Sequence, residues 1–265
     1  MTSGRSEGVA WSVADGIGRI TMEHPERANT IGLACSIALS RAIHEVLDAR
    51  PRVVLLTGTG RIFCAGGDID DMKAASGAEL PGLIERILEP LHPAIERLAR
   101  APLPVVTAIN GALGGAGVGL ALCADIVLAA ASTKLRTGYA AIGLSPDVGA
   151  SYFLARRVGS EAAKRLFFLS EPIDAQRCLA MGIVDEVHPD AELAAAADAL
   201  VARLAACATG SLARVKRLCE GVQARPLHEH LNLERDLLVS ASREPDAAEG
   251  LRAFLEKRPP RFGAR

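Results

Sequence analysis

LPVVTAINGALGGAGVGLALCAD, residues 103–125, decides how the rest of this chain reads. Residues 105–109 form a short run rich in β-branched side chains, bounded by Pro104 and by Asn110-Gly111, which predicts a buried strand. A glycine cluster follows, Gly114, Gly115, Gly117 and Gly119, and runs directly into the apolar residues 120–124, where a buried helix should begin. The first backbone N–H groups of a helix have no intrahelical partner, so strand, glycine turn and helix start together can stabilise negative charge. A shorter echo stands at residues 63–68, FCAGGD.

Spacing separates the chemistries that use this arrangement. A dinucleotide fingerprint needs G-x-G-x-x-G, but Leu120 stands where the third glycine belongs. A phosphate-cradling loop needs Gly-Lys followed by Ser or Thr, and the chain contains no Gly-Lys pair. An oxyanion hole needs two backbone donors from two loops, and Ala65-Gly66-Gly67 can supply the second loop.

The stretches LLTGTGRIFCAGGDIDDM (55–72), PVVTAINGALGGAGVGLALCADIVLAA (104–130) and IGLSPDVGASYFLARRVG (142–159) resemble, in that order, the crotonase family, also called the enoyl-CoA hydratase/isomerase family. The resemblance runs from about residue 9 to 262. It implies an α/β fold, a spiral of β-β-α repeats with a C-terminal helical region. It also implies an acyl-CoA thioester as ligand, no separate cofactor because coenzyme A is part of the substrate, and a homotrimer or hexamer.

By the same resemblance the oxyanion donors are the N–H groups of Gly67 and Ala116. Alanine at the second position costs nothing if its φ is negative, because the donor is the backbone. Arg27 is a candidate contact to the CoA phosphates, with Ala65, Gly66, Asp68, Ile69, Gly115 and Tyr139 as further substrate-binding candidates. Taken alone, Asp68 reads most simply as a helix N-cap, and Arg27 equally well as a solvated loop charge.

Hydratases of this family use two glutamates, and a count without gaps from Asn110 and Asp125 puts Gly119 and Tyr139 at those positions. Neither side chain can act as a carboxylate. Between residues 109 and 161 the only acids are Asp125, which reads as structural, and Asp147 in GLSPDVG. Pro-Asp-x-Gly is turn chemistry in its own right, but isomerases of the family carry their single acid at this position, and the ring-epoxide phenylacetyl-CoA isomerases carry Pro-Asp. One carboxylate suffices for a 1,3-proton shift through an oxyanion-stabilised dienolate, and burial would raise its pKa toward a value useful for such shuttling. Isomerisation of a double bond or ring-epoxide therefore leads. Hydration, thioester hydrolysis and a catalytically silent acyl-CoA-binding protein are the alternatives.

The bulk properties agree with one large unit. A chain of 265 residues with 49% hydrophobic residues can bury a full core, and a net charge of −1 offers no field for nucleic acid or an anionic membrane. The six cysteines lack C-x-x-C spacing, so they predict neither a zinc site nor a disulfide framework; Cys64 and Cys123 read as core filler. The polar N-terminus and the lack of 18 uninterrupted apolar residues predict a soluble, cytoplasmic protein.

The expected organisation is a flexible tail over 1–8, the spiral core over 9–200 and a helical oligomerisation region over 201–265. Within it, Asp15-Gly16 predicts a hairpin, residues 33–49 an amphipathic helix, 53–57 a buried strand and 74–81 a mobile loop. Residues 83–100 predict a helix broken by Pro90 and Pro93, and 125–129 a third strand. Beyond residue 160 the chain should be nearly all helix, with a strand only at 183–187.

Overall fold

The computed structural model describes residues 2–75 and 77–263. Three antiparallel strands open the chain: β1 (Thr2–Ser6), β2 (Val9–Ala14) and β3 (Ile17–Met22). Asp15 and Gly16 both have positive φ, 52° and 76°, as a tight hairpin turn between twisted strands requires. β1 corrects the expected tail: its five residues pair with β2 despite their polar composition.

After helix α1 (Leu33–Asp48) a two-strand unit repeats. β4 (Val53–Gly58) is followed by β5 (Ile62–Cys64), then by helices α2 (Ile69–Ala74) and α3 (Leu80–Ala99). Next come β6 (Val105–Ile109), β7 (Ala112–Gly114) and helix α4 (Ala116–Leu122). The third unit is β8 (Ile126–Ala130), β9 (Lys134–Arg136) and helices α5 (Ala150–Val158) and α6 (Ser160–Leu169). The first strand of each unit joins a seven-stranded sheet of order β1-β2-β3-β4-β6-β8 plus a last strand, while the second joins a smaller sheet in which β5, β7 and β9 run parallel. Each turn of the spiral thus advances both sheets by one strand.

β10 (Ile173–Asp174) closes the small sheet against β9, and after α7 (Ala175–Ala180) β11 (Glu186–His188) completes the large one beside β8. The strand expected at 183–187 lies slightly later.

Side-chain alternation along β4 splits the core in two. Val54 and Leu56 face the interior of the spiral, and Val53 and Leu55 face α8 (Leu193–Ala206) through Leu193, Ala197, Leu200 and Val201. The boundary expected at residue 200 therefore falls inside a helix that belongs to the core. α9 (Thr209–Glu220), α10 (Leu227–Ala241) and α11 (Pro245–Leu255) form the remaining helical region.

Two further expectations change. Pro90 and Pro93 lie within an unbroken α3. The carbonyls that lose their N–H partners belong to Arg86 and Glu89, both exposed, so water can satisfy them, while Leu83, Ile87, Leu91 and Ile95 keep the buried face intact. The loop expected at 74–81 is short: α2 reaches Ala74, a 3-10 turn covers Gly77–Glu79 and α3 starts at Leu80. Ser76 lies outside the described residues.

Candidate active site

The parallel order β5-β7-β9 brings the ends of three strands side by side, and the chain beyond each end contributes to one site. After β5 comes Ala65-Gly66-Gly67, after β7 comes Gly115-Ala116, and after β9 come Thr137, Gly138 and Tyr139. The Gly115 N–H donates to the Thr137 carbonyl at 3.1 Å, tying the second loop to the third.

The two glycine loops touch. Gly66 has φ 106°, and a Cβ there would lie 3.0 Å from the Gly114 carbonyl oxygen and 3.4 Å from the Ala116 nitrogen. Gly115, φ 49°, turns the chain into α4, so Ala116 is the first helical residue; its φ is not positive, and its N–H is one of the helix's unpartnered donors. Neither the Gly67 nor the Ala116 N–H donates to any acceptor among the described residues. Both expected donors thus sit on adjoining loops with free N–H groups.

Asp147 lies in the turn before α5, half-buried, and its Oδ1 accepts a hydrogen bond from the Tyr139 hydroxyl at 2.5 Å. Burial pushes its carboxyl above the ordinary range, and the Tyr139 phenol and nearby His92 offset part of that rise. Tyr139 is 6% exposed, and burial together with the Asp147 charge pushes its phenol well up, so it remains a donor. The Asp147 charge also adds slightly to the upward push on the Cys64 thiol, at the end of β5.

The next residue, Val148, has φ 48°, a strained conformation for a β-branched side chain. Its N–H donates to His92 Nε2 at 3.3 Å, and the Ala150 N–H donates to the Asp147 carbonyl at 2.8 Å, so the turn is held from both sides. This turn packs directly on α4: a Cβ on Gly119 would lie 2.1 Å from the Val148 carbonyl oxygen. Gly119 is there for packing and has no room for any side chain.

The other candidates separate. Asp68 Oδ1 caps α2 through the N–H groups of Asp70 and Asp71, and its Oδ2 accepts from Thr30 Oγ1 at 2.8 Å and pairs with Arg27 at 2.8 Å. Burial would raise its pKa, but Thr30, the Asp71 and Asp70 N–H groups and the Arg27 charge hold it below the ordinary value. Asp68 is therefore fully engaged in structure. Arg27 stays 45% exposed on that pair, and Ala65 and Ile69 are exposed on the rim. Asp125, as expected, is structural: Oδ2 accepts from the Val105 N–H and from Lys216.

Burial pushes the Cys64 and Cys123 thiols up to about 12, so both stay protonated core filler, and all six cysteines are unpaired. Among the described residues no cluster of three metal-ligating side chains occurs. Among the described residues no single helix is long and apolar enough to cross a membrane. A groove of about 1590 Å³ between α3, α5 and α9 borders Val148 and Gly149, but it is lined by neither Asp147 nor the glycine loops.

His92 and Met72 escaped the sequence reading. His92 is separated from Val148 by 56 residues. Met72 packs its methyl group where a Cβ on Gly67 would be, 2.5 Å away, and so covers the first donor loop; a lone methionine in an acidic helix start gives no such signal.

The family model described as enoyl-CoA hydratase/isomerase matches residues 12–265. The chain belongs to the enoyl-CoA hydratase/isomerase family. A probable enoyl-CoA hydratase of Rhodobacter capsulatus is 36% identical over 97% of this chain and 98% of its own length. The 1,2-epoxyphenylacetyl-CoA isomerase of Escherichia coli is 37% identical over 94% of this chain and 96% of its own. Among solved structures, a putative enoyl-CoA hydratase from Thermobifida fusca in complex with acetoacetyl-CoA superposes with a TM-score of 0.81 at 28% identity, covering 88% of this chain and 94% of that one. The crotonase fold agrees with the expectation from sequence, and the relatives include both a probable hydratase and the ring-epoxide phenylacetyl-CoA isomerase type.

Proposed function

We propose that this protein is an acyl-CoA isomerase in which Asp147 carries a proton between two carbons of a CoA thioester while the Gly67 and Ala116 N–H groups hold the thioester oxygen. The observation that carries the reading is the carboxyl of Asp147: its turn packs on Gly119 of α4, the helix that begins with the Ala116 N–H, Gly119 has no room for a second acid, and the Tyr139 phenol is held protonated on Asp147.

With a 3-enoyl-CoA, Asp147 takes a proton from C2, and the electrons of that bond move into a dienolate whose oxygen lies in the hole. The proton returns at C4, the double bond moves to C2–C3, and Asp147 is again a carboxylate. The raised pKa suits both halves of the shuttle. No cofactor is needed. Hydration in this family uses a second carboxylate to activate water, and the positions expected for the glutamates hold Gly119 and Tyr139; His92 Nε2 already accepts the Val148 N–H.

Arg27, whose guanidinium stays 45% exposed on its pair with Asp68, is our candidate contact for the CoA phosphates. Large apolar side chains on the last two helices, with Leu227 72%, Leu238 72%, Phe254 81% and Leu255 80% exposed, support a trimer or hexamer that covers them. Light scattering showing a monomer at micromolar concentration would contradict that assembly.

The test of the reaction is product analysis on 3-enoyl-CoA thioesters. The expected product is the 2-enoyl isomer; accumulation of 3-hydroxyacyl-CoA would indicate a hydratase, release of free CoA thiol a hydrolase.

A further inference from the structure

Resting on the reading of Asp147 as the proton carrier, we infer that Tyr139 is its positioning residue: the phenol occupies Oδ1 and leaves Oδ2 as the one oxygen that takes and returns the proton.

The backbone fixes the tyrosine from both sides. It begins a 3-10 turn, Tyr139–Ile142, between Gly138 at φ 78° and Gly143 at φ 71°. Gly138 N–H donates to Ser170 Oγ at 2.8 Å, and Thr137 Oγ1 donates to the Leu166 carbonyl at 3.0 Å, which anchors the start of the turn to α6. The ring is buried beside Phe167, 6.1 Å between centroids. A side chain held this way has little freedom to leave Asp147, and at 2.5 Å its hydroxyl makes a short bond to a charged acceptor.

The titratable groups near Asp147 are few. Tyr139 reaches it from the turn after β9, His92 lies near it on α3, and the Cys64 thiol neighbours it at the end of β5. Cys64 stays neutral, and His92 Nε2 already accepts the Val148 N–H, so neither replaces the tyrosine as a donor to Oδ1. Because the phenol never ionises in the working range, its donation persists through the catalytic cycle: it stabilises the carboxylate before abstraction and orients the acid afterwards. Burial and Tyr139 therefore oppose each other at Asp147, and removing the phenol leaves burial less restrained.

The experiment compares wild type, Tyr139→Phe and a protein carrying 3-fluorotyrosine at position 139, with isomerisation followed against pH. Tyr139→Phe should lower kcat roughly ten- to hundredfold, leave KM within about threefold, and move the acidic limb of kcat/KM up by about one pH unit, as expected for loss of a hydrogen bond to a charged group. The fluorinated phenol, a stronger donor with nearly the same shape, should move that limb down while kcat stays near wild type. An unmoved limb in both variants would overturn the inference, as would a Tyr139→Phe kcat within twofold of wild type. If Tyr139→Phe does not fold, the fluorinated protein decides alone. The Asp147→Asn variant separates the two readings: isomerase activity surviving in it removes the proton-carrier assignment itself, whereas loss of activity there with no limb shift at position 139 removes only the role of Tyr139.

Discussion

Gly119 meets Val148 backbone to backbone: a Cβ on the glycine would stand 2.1 Å from the valine carbonyl oxygen and 2.8 Å from the Ala150 nitrogen. The contact joins α4, whose first N–H is the proposed oxyanion donor, to the turn that carries Asp147. It accounts for the glycine by packing, in a position where a hydratase of this family would carry an acid.

Gly119→Ala should therefore cost roughly 1–3 kcal/mol of stability, the usual range for overpacking, and displace Asp147 as it does so. Chemical denaturation should show the loss, and kcat should fall with it. Gly119→Glu should yield no hydratase but a protein that fails to fold or lacks isomerase activity. A stable Gly119→Glu protein that hydrates 2-enoyl-CoA would contradict the packing account.

Asp147 should be a site where function opposes stability. Its folded-state pKa is raised, chiefly by burial. Between the ordinary carboxyl range and that raised value the folded state binds more protons than the unfolded state, so stability falls as pH rises through the window. At neutral pH the ionised group is a net cost, and Asp147→Asn should melt higher than wild type while the two converge in acid. For wild type, kcat/KM should fall as pH drops through a value above the ordinary carboxyl range. Melting curves from pH 4 to 8 check the sign, and an Asp147→Asn protein less stable at every pH would refute it.

The opposite sign applies to Asp68. Its pKa is lowered in the folded state, so its contribution is present above the ordinary Asp value and is lost as pH falls below it. Asp68→Ala removes the cap of α2 and the partner of Arg27, and should cost on the order of 1–2 kcal/mol. Arg27→Ala should raise KM for acyl-CoA with little change in kcat, because Arg27 lies on the rim and far in role from proton transfer. Steady-state kinetics on both variants distinguishes these effects.

Much of this was legible in sequence because the relevant physics is local. The continuous apolar run at 53–56, the β-branched run at Val105–Ile109 and the glycines that admit positive φ at positions 66 and 115 each act within a few residues. The free donor at Ala116 follows from the start of a helix alone. What was not legible depends on distance in the chain. The polar segment Thr2–Ser6 becomes a strand because β2 offers an edge, and Pro90 and Pro93 are tolerated in α3, where the residues four before them, Arg86 and Glu89, are exposed and the buried face is intact. Tyr139 read as a missing glutamate, and nothing in its neighbours announced that its hydroxyl would close on Asp147, eight residues on.

The central claim is that one carboxyl moves one proton between C2 and C4. It is tested most directly by incubating a 3-enoyl-CoA in D₂O with wild type and with Asp147→Asn and locating deuterium in the product by NMR. Wild type should give the 2-enoyl-CoA with any solvent deuterium at C4 and none at C3, while Asp147→Asn should still bind acyl-CoA but turn over roughly 10²–10⁴-fold more slowly. A 3-hydroxyacyl-CoA as the main product, or Asp147→Asn turning over at the wild-type rate, would contradict it.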